Sequence, residues 1–233
     1  MVKKELMFGL LLVFSMSVFA ANCGGSTPCS CGDTITSSRV LDSSDSLTGC
    51  GGVAALYMNP IGSFTLDCNG TNITGSSNRA LEGNRESGVT VKNCNFQGFG
   101  TSIFFSSIKD SFIINNTFDD APYGDIFLAK YGSAFYGSDN VAILGNDFVS
   151  AYIRISSSTG TIVDGNHYVD FDEVAEGCTG MEFCNEPYIT GGLTDYHPIS
   201  INGEGDVITP ELSHAIVGIM AVILTIYVVG KKN

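Results

Sequence analysis

A short pattern that recurs along the chain constrains the fold more than any other feature. In each copy a β-forming residue is followed three positions later by Asn, once by Cys, and five positions later by an aromatic ring. The intervals between copies are 25, 22, 30 and 20 residues, which is the length of one repeated supersecondary unit. The turn positions and rings are Asn69 (in a weaker copy), Cys94, Asn116, Asn146, Asn166, Phe96, Phe118, Phe148 and Tyr168.

The repeat predicts an all-β fold, a right-handed parallel β-helix. Each copy is typical of a short strand that runs into a tight turn, and no helical periodicity appears between residues 30 and 209. Strands that recur at this spacing without crossover helices can stack in parallel only as a solenoid. We expect about six to seven short coils, with the Asn column at a bend and the rings stacked inside as a structural ladder.

Residues 1–20 are typical of a secretion signal. They begin with two lysines, continue as an apolar run and end in small residues, so we expect the mature protein to begin near Ala21 or Asn22. A lipoprotein reading of Cys23 is disfavoured, because Asn22 stands where the lipidation motif needs a small residue.

The other end of the chain predicts a membrane anchor. Residues 215–229 carry no charge and precede Lys231 and Lys232, and a bilayer needs about 20 apolar residues to be crossed. The basic flank places the C-terminus inside and the N-terminus outside. We therefore expect a β-helix ectodomain over residues 21–209 and a single-pass anchor over 210–233, on a protein displayed at the cell surface.

Eight cysteines, all in the exported region, predict disulfides. Spacing alone does not fix how they pair, but Cys178 with Cys184 closes a short loop, and Cys31 with Cys50 would staple the first coil. The net charge of −13 argues against nucleic acid or anionic lipid as a partner. The sequence does not indicate the oligomeric state.

The longest interval, between the turns at 116 and 146, predicts an insertion that could bind sugars. Aromatic rings beside Asp and small residues suit stacking on sugar rings, so a cell-surface or environmental polysaccharide is the expected ligand. The alternative is that the rings only cover a bulged coil, and that the protein has a structural or adhesion role at the cell surface with no small ligand. The candidate ligand-binding residues are Tyr123, Asp125, Tyr131, Phe135 and Tyr136.

An enzyme is the less favoured interpretation. A glycosidase needs two carboxyl groups about 6.5–9.5 Å apart if it inverts, and a lyase needs a basic residue beside them. The candidate residues are Asp119, Asp120, Asp125 and Arg154, with Arg85 as a second basic candidate for a lyase, and no supporting motif follows them. No metal site is predicted: His167 and His197 could share a metal ion, but scattered surface histidines are far commoner, and His167 falls at a solvent-facing position of the alternation.

The closing segments resemble the end of NosD-like parallel β-helix proteins. The matching phrases are Gly165-Asn-His-Tyr-Val-Asp-Phe171 and Asn185-Glu-Pro-Tyr, followed by Asp195-Tyr-His-Pro-Ile199; the front of the chain, from Cys31-Gly-Asp-Thr-Ile-Thr, is similar to archaeal surface proteins of the same pectin-lyase-like superfamily. The resemblance implies the fold and an extracytoplasmic location.

The family's loop before Pro-Tyr commonly carries several Asp that could hold calcium, the one cofactor that the resemblance allows. Here residues 173–184 carry Cys178 and Cys184 instead, and the resemblance implies that a disulfide closes the loop. Thr209-Pro-Glu-Leu212 is similar to C-terminal sorting signals at which a membrane protease cuts.

Overall fold

The computed structural model describes residues 21–59, 62–119, 121–130, 132, 137–149, 152–172, 174, 177–180 and 182–201. Its secondary structure is nearly all β. In chain order the strands are β1 (Asn22–Cys23), β2 (Asp33–Ile35), β3 (Arg39–Val40), β4 (Ala54–Met58), β5 (Phe64–Asp67), β6 (Asn72–Thr74), β7 (Arg79–Asn84), β8 (Val89–Lys92), β9 (Asn95–Gln97), β10 (Thr101–Ser106), β11 (Lys109–Ile114), β12 (Thr117–Asp119), β13 (Ile126–Ala129), β14 (Asp139–Leu144), β15 (Asp147–Phe148), β16 (Ile153–Ile155), β17 (Ile162–Asp164), β18 (His167–Tyr168), β19 (Tyr188–Thr190) and β20 (Leu193–Asp195).

The strands form a parallel β-solenoid, as predicted. Three parallel sheets run along it, with the orders β1-β2-β4-β7-β10-β13-β16, β17-β14-β11-β8-β5-β3 and β18-β15-β12-β9-β6. Each turn from β4–β6 to β16–β18 places one strand in every sheet, which gives about five complete turns rather than six to seven. The difference arises because β1, and then β2 and β3, contribute only incomplete turns, and because the chain after β18 folds into the antiparallel pair β19–β20 instead of another coil.

The predicted signal and the predicted C-terminal anchor lie outside the described residues. Within the ranges that the structure does describe, no helix reaches the length and apolarity needed to cross a bilayer.

The core is built from side chains that repeat at the same register in every turn. Val91, Ile113, Ile143 and Val163 occupy one such position in the six-stranded sheet, and all four are buried. Strand residues alternate between buried and partly exposed, as in β8 and β5, which is the period of two expected of a strand. One thin coil cannot bury its apolar face alone, so stacking supplies the core.

A column of buried amides follows the bend after this sheet. The Asn116 Nδ2 atom donates to Oδ1 of Asn146 at 3.0 Å, and Asn146 Nδ2 donates in the same way to Asn166 at 3.0 Å. The side-chain oxygens of the column also accept backbone N–H groups. The N–H of Asn116 donates to Asn146 and the N–H of Asn146 donates to Asn166, both at 2.9 Å, and the N–H of Cys94 donates to Asn116 at 3.0 Å. The column therefore satisfies both the side chains and the backbone of a bend that would otherwise be short of partners.

An aromatic stack runs beside the amide column. The ring centroids of Phe96 and Phe118 lie 5.4 Å apart, those of Phe118 and Phe148 4.9 Å, and those of Phe148 and Tyr168 5.5 Å. Tyr188, which the sequence pattern did not include, extends the stack at 3.9 Å from Tyr168. Each such pair contributes about 0.5–1.5 kcal/mol beyond the area it buries.

The prediction that Asn69 lies inward in the column is wrong. Its side chain is exposed, and its backbone is left-handed with φ of 51°. The register aligns Leu66 with Val91 and Asn72 with Asn95, so this turn spans 6 residues (72 − 66) where the next spans 4 (95 − 91). The two additional residues push Asn69 out of the column.

A disulfide takes the place of the first amide pair. Cys68 is buried and bonded to Cys94, which joins two successive turns. A loop of this length is closed with a gain of about 3–4 kcal/mol.

The structure also contains both pairs favoured from the sequence, Cys31–Cys50 and Cys178–Cys184, together with Cys23–Cys29. Four disulfides indicate an oxidising environment.

Asn146→Ala should destabilise the fold strongly, because it removes the acceptor of the Asn116 backbone N–H and side chain inside the core. We expect a loss of about 2–4 kcal/mol in the free energy of unfolding, measured by urea denaturation. The matched control is Asn185→Ala in an exposed loop, where Nδ2 donates to the Thr179 hydroxyl; it should change stability by less than about 0.5 kcal/mol. Equal effects of the two substitutions would contradict a structural role for the column.

Candidate functional site

The outward face of the seven-stranded sheet carries a row of large side chains. The register places Tyr57, Glu82, Phe104, Phe127 and Arg154 side by side on successive strands, and we call them the outer column. Neighbouring strands are about 4.8 Å apart, so the outer column extends for roughly 19 Å along the solenoid. It forms a straight strip parallel to the solenoid axis.

Guanidinium groups lie against the two phenyl rings of the outer column. The Cζ atom of Arg79 is 3.7 Å from the centroid of Phe104, and Arg79 Nη1 is 2.7 Å from Oε2 of Glu82. The rings of Phe104 and Phe127 meet edge to face at 5.3 Å. Such contacts hold the cations in fixed positions on the sheet.

Two exposed tyrosines contact Arg154, the cation of the outer column, one through its ring and the other through its backbone. Arg154 Cζ lies 4.5 Å from the centroid of Phe127 and 5.8 Å from that of Tyr152, and its Nη1 donates to the Tyr123 carbonyl oxygen at 3.2 Å. Tyr123 is 64 % exposed and Tyr152 is 46 % exposed. We call Tyr123, Phe127, Tyr152 and Arg154 the tyrosine–arginine patch.

Gly124 makes room for the patch. Its φ of 129° favours glycine, and a Cβ atom there would lie 3.3 Å from Arg154 Cδ and 3.2 Å from the Tyr152 carbonyl oxygen. A side chain at this position would push the guanidinium away from the sheet. The glycine therefore contributes to the geometry of the site as well as to the turn.

Asp125 does not have the role predicted from the sequence. It is fully buried, and its carboxylate accepts the backbone N–H of Ala121 at 3.1 Å and that of Tyr152 at 3.0 Å. It cannot contact a ligand on the surface or act there as a catalytic acid. Its contacts instead fix the two turns that present Tyr123 and Tyr152.

Of the other predicted site residues, some lie outside the described part of the chain and the rest lie on different sheets. Tyr131, Phe135, Tyr136 and Asp120 lie outside the described residues. Asp119 is exposed at the end of β12 in the five-stranded sheet, whereas Arg154 belongs to the seven-stranded sheet. Asp119 and Asp125 therefore do not converge on Arg154, and the predicted catalytic arrangement of these residues is not formed.

Sequence reasoning missed Tyr152, Phe127 and Phe104 as surface residues of one site. Tyr152 and Arg154 alternate around Ile153, which is a signal for two outward positions in a strand. The alignment of that strand with Phe127 depends on coil lengths that vary from turn to turn, so the row itself had no signal in the sequence.

The two histidines considered for a shared metal site contact different aspartates. His167 Nδ1 lies 2.7 Å from Asp147 and its Nε2 lies 2.7 Å from Asp172, whereas His197 Nδ1 lies 2.7 Å from Asp164. Burial opposes the charged form of His167, but Asp147 and then Asp172 outweigh burial and raise the pKa of the imidazole above 6.5. His167 is half-buried rather than facing solvent as predicted. In the part of the chain that the structure describes, no group of three or more His, Cys, Asp or Glu could hold a metal ion.

Comparisons with known proteins leave the family of the chain open. No protein-family model matches it, and neither the curated proteins nor the solved structures give a match.

The stability of the last turn should fall as pH rises past neutral. Because the folded pKa of His167 exceeds its unfolded value, the ion pairs contribute fully below about pH 6.5 and are lost as pH rises through the folded pKa. We expect the melting temperature to fall between pH 6 and 9 by more in the wild type than in His167→Gln. His197→Gln, which alters an exposed pair, is the control and should follow the wild-type curve. Parallel curves for wild type and His167→Gln would contradict this assignment.

Proposed function

We propose that this protein is an exported β-solenoid, displayed at the cell surface, that binds glycans through the tyrosine–arginine patch. One observation carries the proposal: Arg154 joins two exposed tyrosines, through the ring of Tyr152 and the carbonyl oxygen of Tyr123, on a sheet whose position is fixed by the stacked core. The four disulfides support export.

The chemistry of the patch suits a sugar better than a flat apolar partner. Aromatic side chains are amphipathic surfaces with little conformational entropy to lose, and a tyrosine offers a ring face for C–H groups and a hydroxyl for hydrogen bonding. Arg154 uses Nη1 for the Tyr123 carbonyl, and a guanidinium has five N–H donors. The remaining donors can reach hydroxyl or carboxylate groups of a ligand lying on the tyrosines.

The shape of the sheet favours an extended polymer. The outer column continues from Arg154 past Phe127 and Phe104 to Tyr57, so a chain that stacks at the patch can follow it along the solenoid. Attachment through residues 210–233, by an anchor or after cutting at the Thr209-Pro-Glu sequence, would hold this face outside the cell. A polysaccharide lyase or hydrolase of the pectin-lyase-like superfamily is the alternative, and it is compatible with the fold alone.

Binding of the full chain, purified in detergent, to an array of surface polysaccharides tests the proposal. Tyr123→Ala/Tyr152→Ala should weaken binding at least about tenfold, because loss of two stacking rings costs more than 1.4 kcal/mol. Tyr196→Ala is the control, since Tyr196 is 69 % exposed but lies next to the C-terminal hairpin, outside the patch. It should bind like wild type.

The outcomes separate the alternatives. Unchanged binding by the double variant would remove the patch as the site and direct attention to a Tyr131→Ala/Tyr136→Ala variant. No binding by the wild type to any polysaccharide would contradict glycan recognition and leave a structural role in the cell envelope.

A further inference from the structure

A buried carboxylate at the N-terminal end of the solenoid has no cationic side chain paired with it in the part of the chain that the structure describes. Asp33 is 6 % exposed, its Oδ2 accepts the backbone N–H of Ser30 at 2.7 Å, and its Oδ1 accepts the backbone N–H of Ala21 at 3.0 Å. No lysine, arginine or histidine among the described residues forms an ion pair with it. A buried charge with neutral donors alone is costly. Asp45, the comparable residue nearby, has the Arg39 guanidinium at 2.7 Å.

We propose that Ala21 is the first residue of the mature protein, and that its α-ammonium group is the cation that completes the Asp33 site. The nitrogen that donates to Asp33 is the one that becomes an amine when the Ala20–Ala21 peptide bond is hydrolysed. A signal peptidase would add one water across that bond, so that Ala20 leaves with a carboxylate and the new amine of Ala21 takes up a proton. A single amide N–H at Asp33 becomes a charged group with three donors.

The geometry selects Ala21 over the neighbouring start sites. The Ala21 carbonyl oxygen accepts the backbone N–H of Thr34 at 2.8 Å, so this residue is held along β2 on both sides of its Cα atom. A chain that began at Asn22 would lose both this bond and the contact with Asp33. A lipid-modified start at Cys23 is incompatible with the Cys23–Cys29 disulfide loop, which follows directly and closes this end of the solenoid.

The arrangement links processing to stability. In the precursor the group at Asp33 is a neutral amide, and the carboxylate stays buried without a cation. After cleavage the same contact becomes a charge-assisted hydrogen bond, which is about twice as strong as a neutral one. The fold is therefore more stable in the processed chain than in the precursor. This inference rests on the export proposed above, but it does not depend on glycan binding, so the two can fail separately.

N-terminal sequencing of the protein exported from the full chain tests the start site. We expect Ala21 as the first residue. A mature chain that begins at Asn22, or anywhere upstream of Ala21, would overturn the proposal.

A thermodynamic cycle tests the ion pair itself. Chains that run from Ala21 to Asn233 are released from a fusion by a protease that leaves a native first residue, and are compared with and without Nα-acetylation, each with Asp33 and with Asp33→Asn. Acetylation should lower the melting temperature by about 2–4 °C, the shift that corresponds to 1 kcal/mol in a domain of this size, and should have no effect in Asp33→Asn. An equal effect of acetylation in both backgrounds would contradict the pairing.

A second measurement avoids the risk that Asp33→Asn does not fold. In the unmodified chain, ¹⁵N NMR of the Ala21 amine should titrate above the range of about 7.7–8.0 that is usual for an α-amino group, because a nearby carboxylate favours the charged form. Titration within or below that range would also overturn the proposal.

Discussion

The solenoid depends on a one-way chain of hydrogen bonds through the amide column. Each Asn donates one Nδ2 hydrogen to the next member of the column and the other to a carbonyl oxygen of the preceding turn. Each Asn side-chain oxygen accepts from the turn before, so the last member must end on a group that only accepts. Asp195 is that group: its buried carboxylate accepts Asn166 Nδ2 and the Asn166 backbone N–H, both at 3.0 Å, and the Tyr168 hydroxyl at 3.0 Å. Burial and then the charge of Asp195 raise the pKa of Tyr168, so this donor keeps its proton. One carboxylate thus ends the amide column and also holds the Tyr168 ring of the aromatic stack.

Much of the core was predictable because its residues recur at fixed offsets in the sequence. Asn116, Asn146 and Asn166 recur with a fixed offset from a β-former and from a ring, and all three lie where the pattern places them. The pattern was misleading at Asn69, where the offset was preserved by chance in a turn two residues longer. Asp195 and Tyr188 could not be read from it, because they come from the hairpin that follows the repeats.

The proposed binding surface was less predictable, for a different physical reason. Outward residues are not constrained by the core, and their alignment across turns depends on loop lengths between strands. Tyr123 was predicted because it lies in a segment where aromatic rings stand beside Asp and small residues. Tyr152 and Phe127 join it only through the register of β13 and β16. Asp125 was misassigned because a carboxylate in a turn can equally face solvent or accept backbone N–H groups, and only the packing of the neighbouring turn decides between them. The amide column thus determines the fold, whereas the fold does not constrain which residues stand in the outer column.

Amide hydrogen exchange in an Asp195→Asn variant tests the central claim most directly. If the carboxylate ends a directional chain, the asparagine side chain would turn a donor toward donors, and protection should be lost most at Asn166, less at Asn146 and Asn116, and least at Cys94. Equal loss of protection at all four amides, or protection unchanged from the wild type, would contradict the account of the amide column as the interaction on which the solenoid depends.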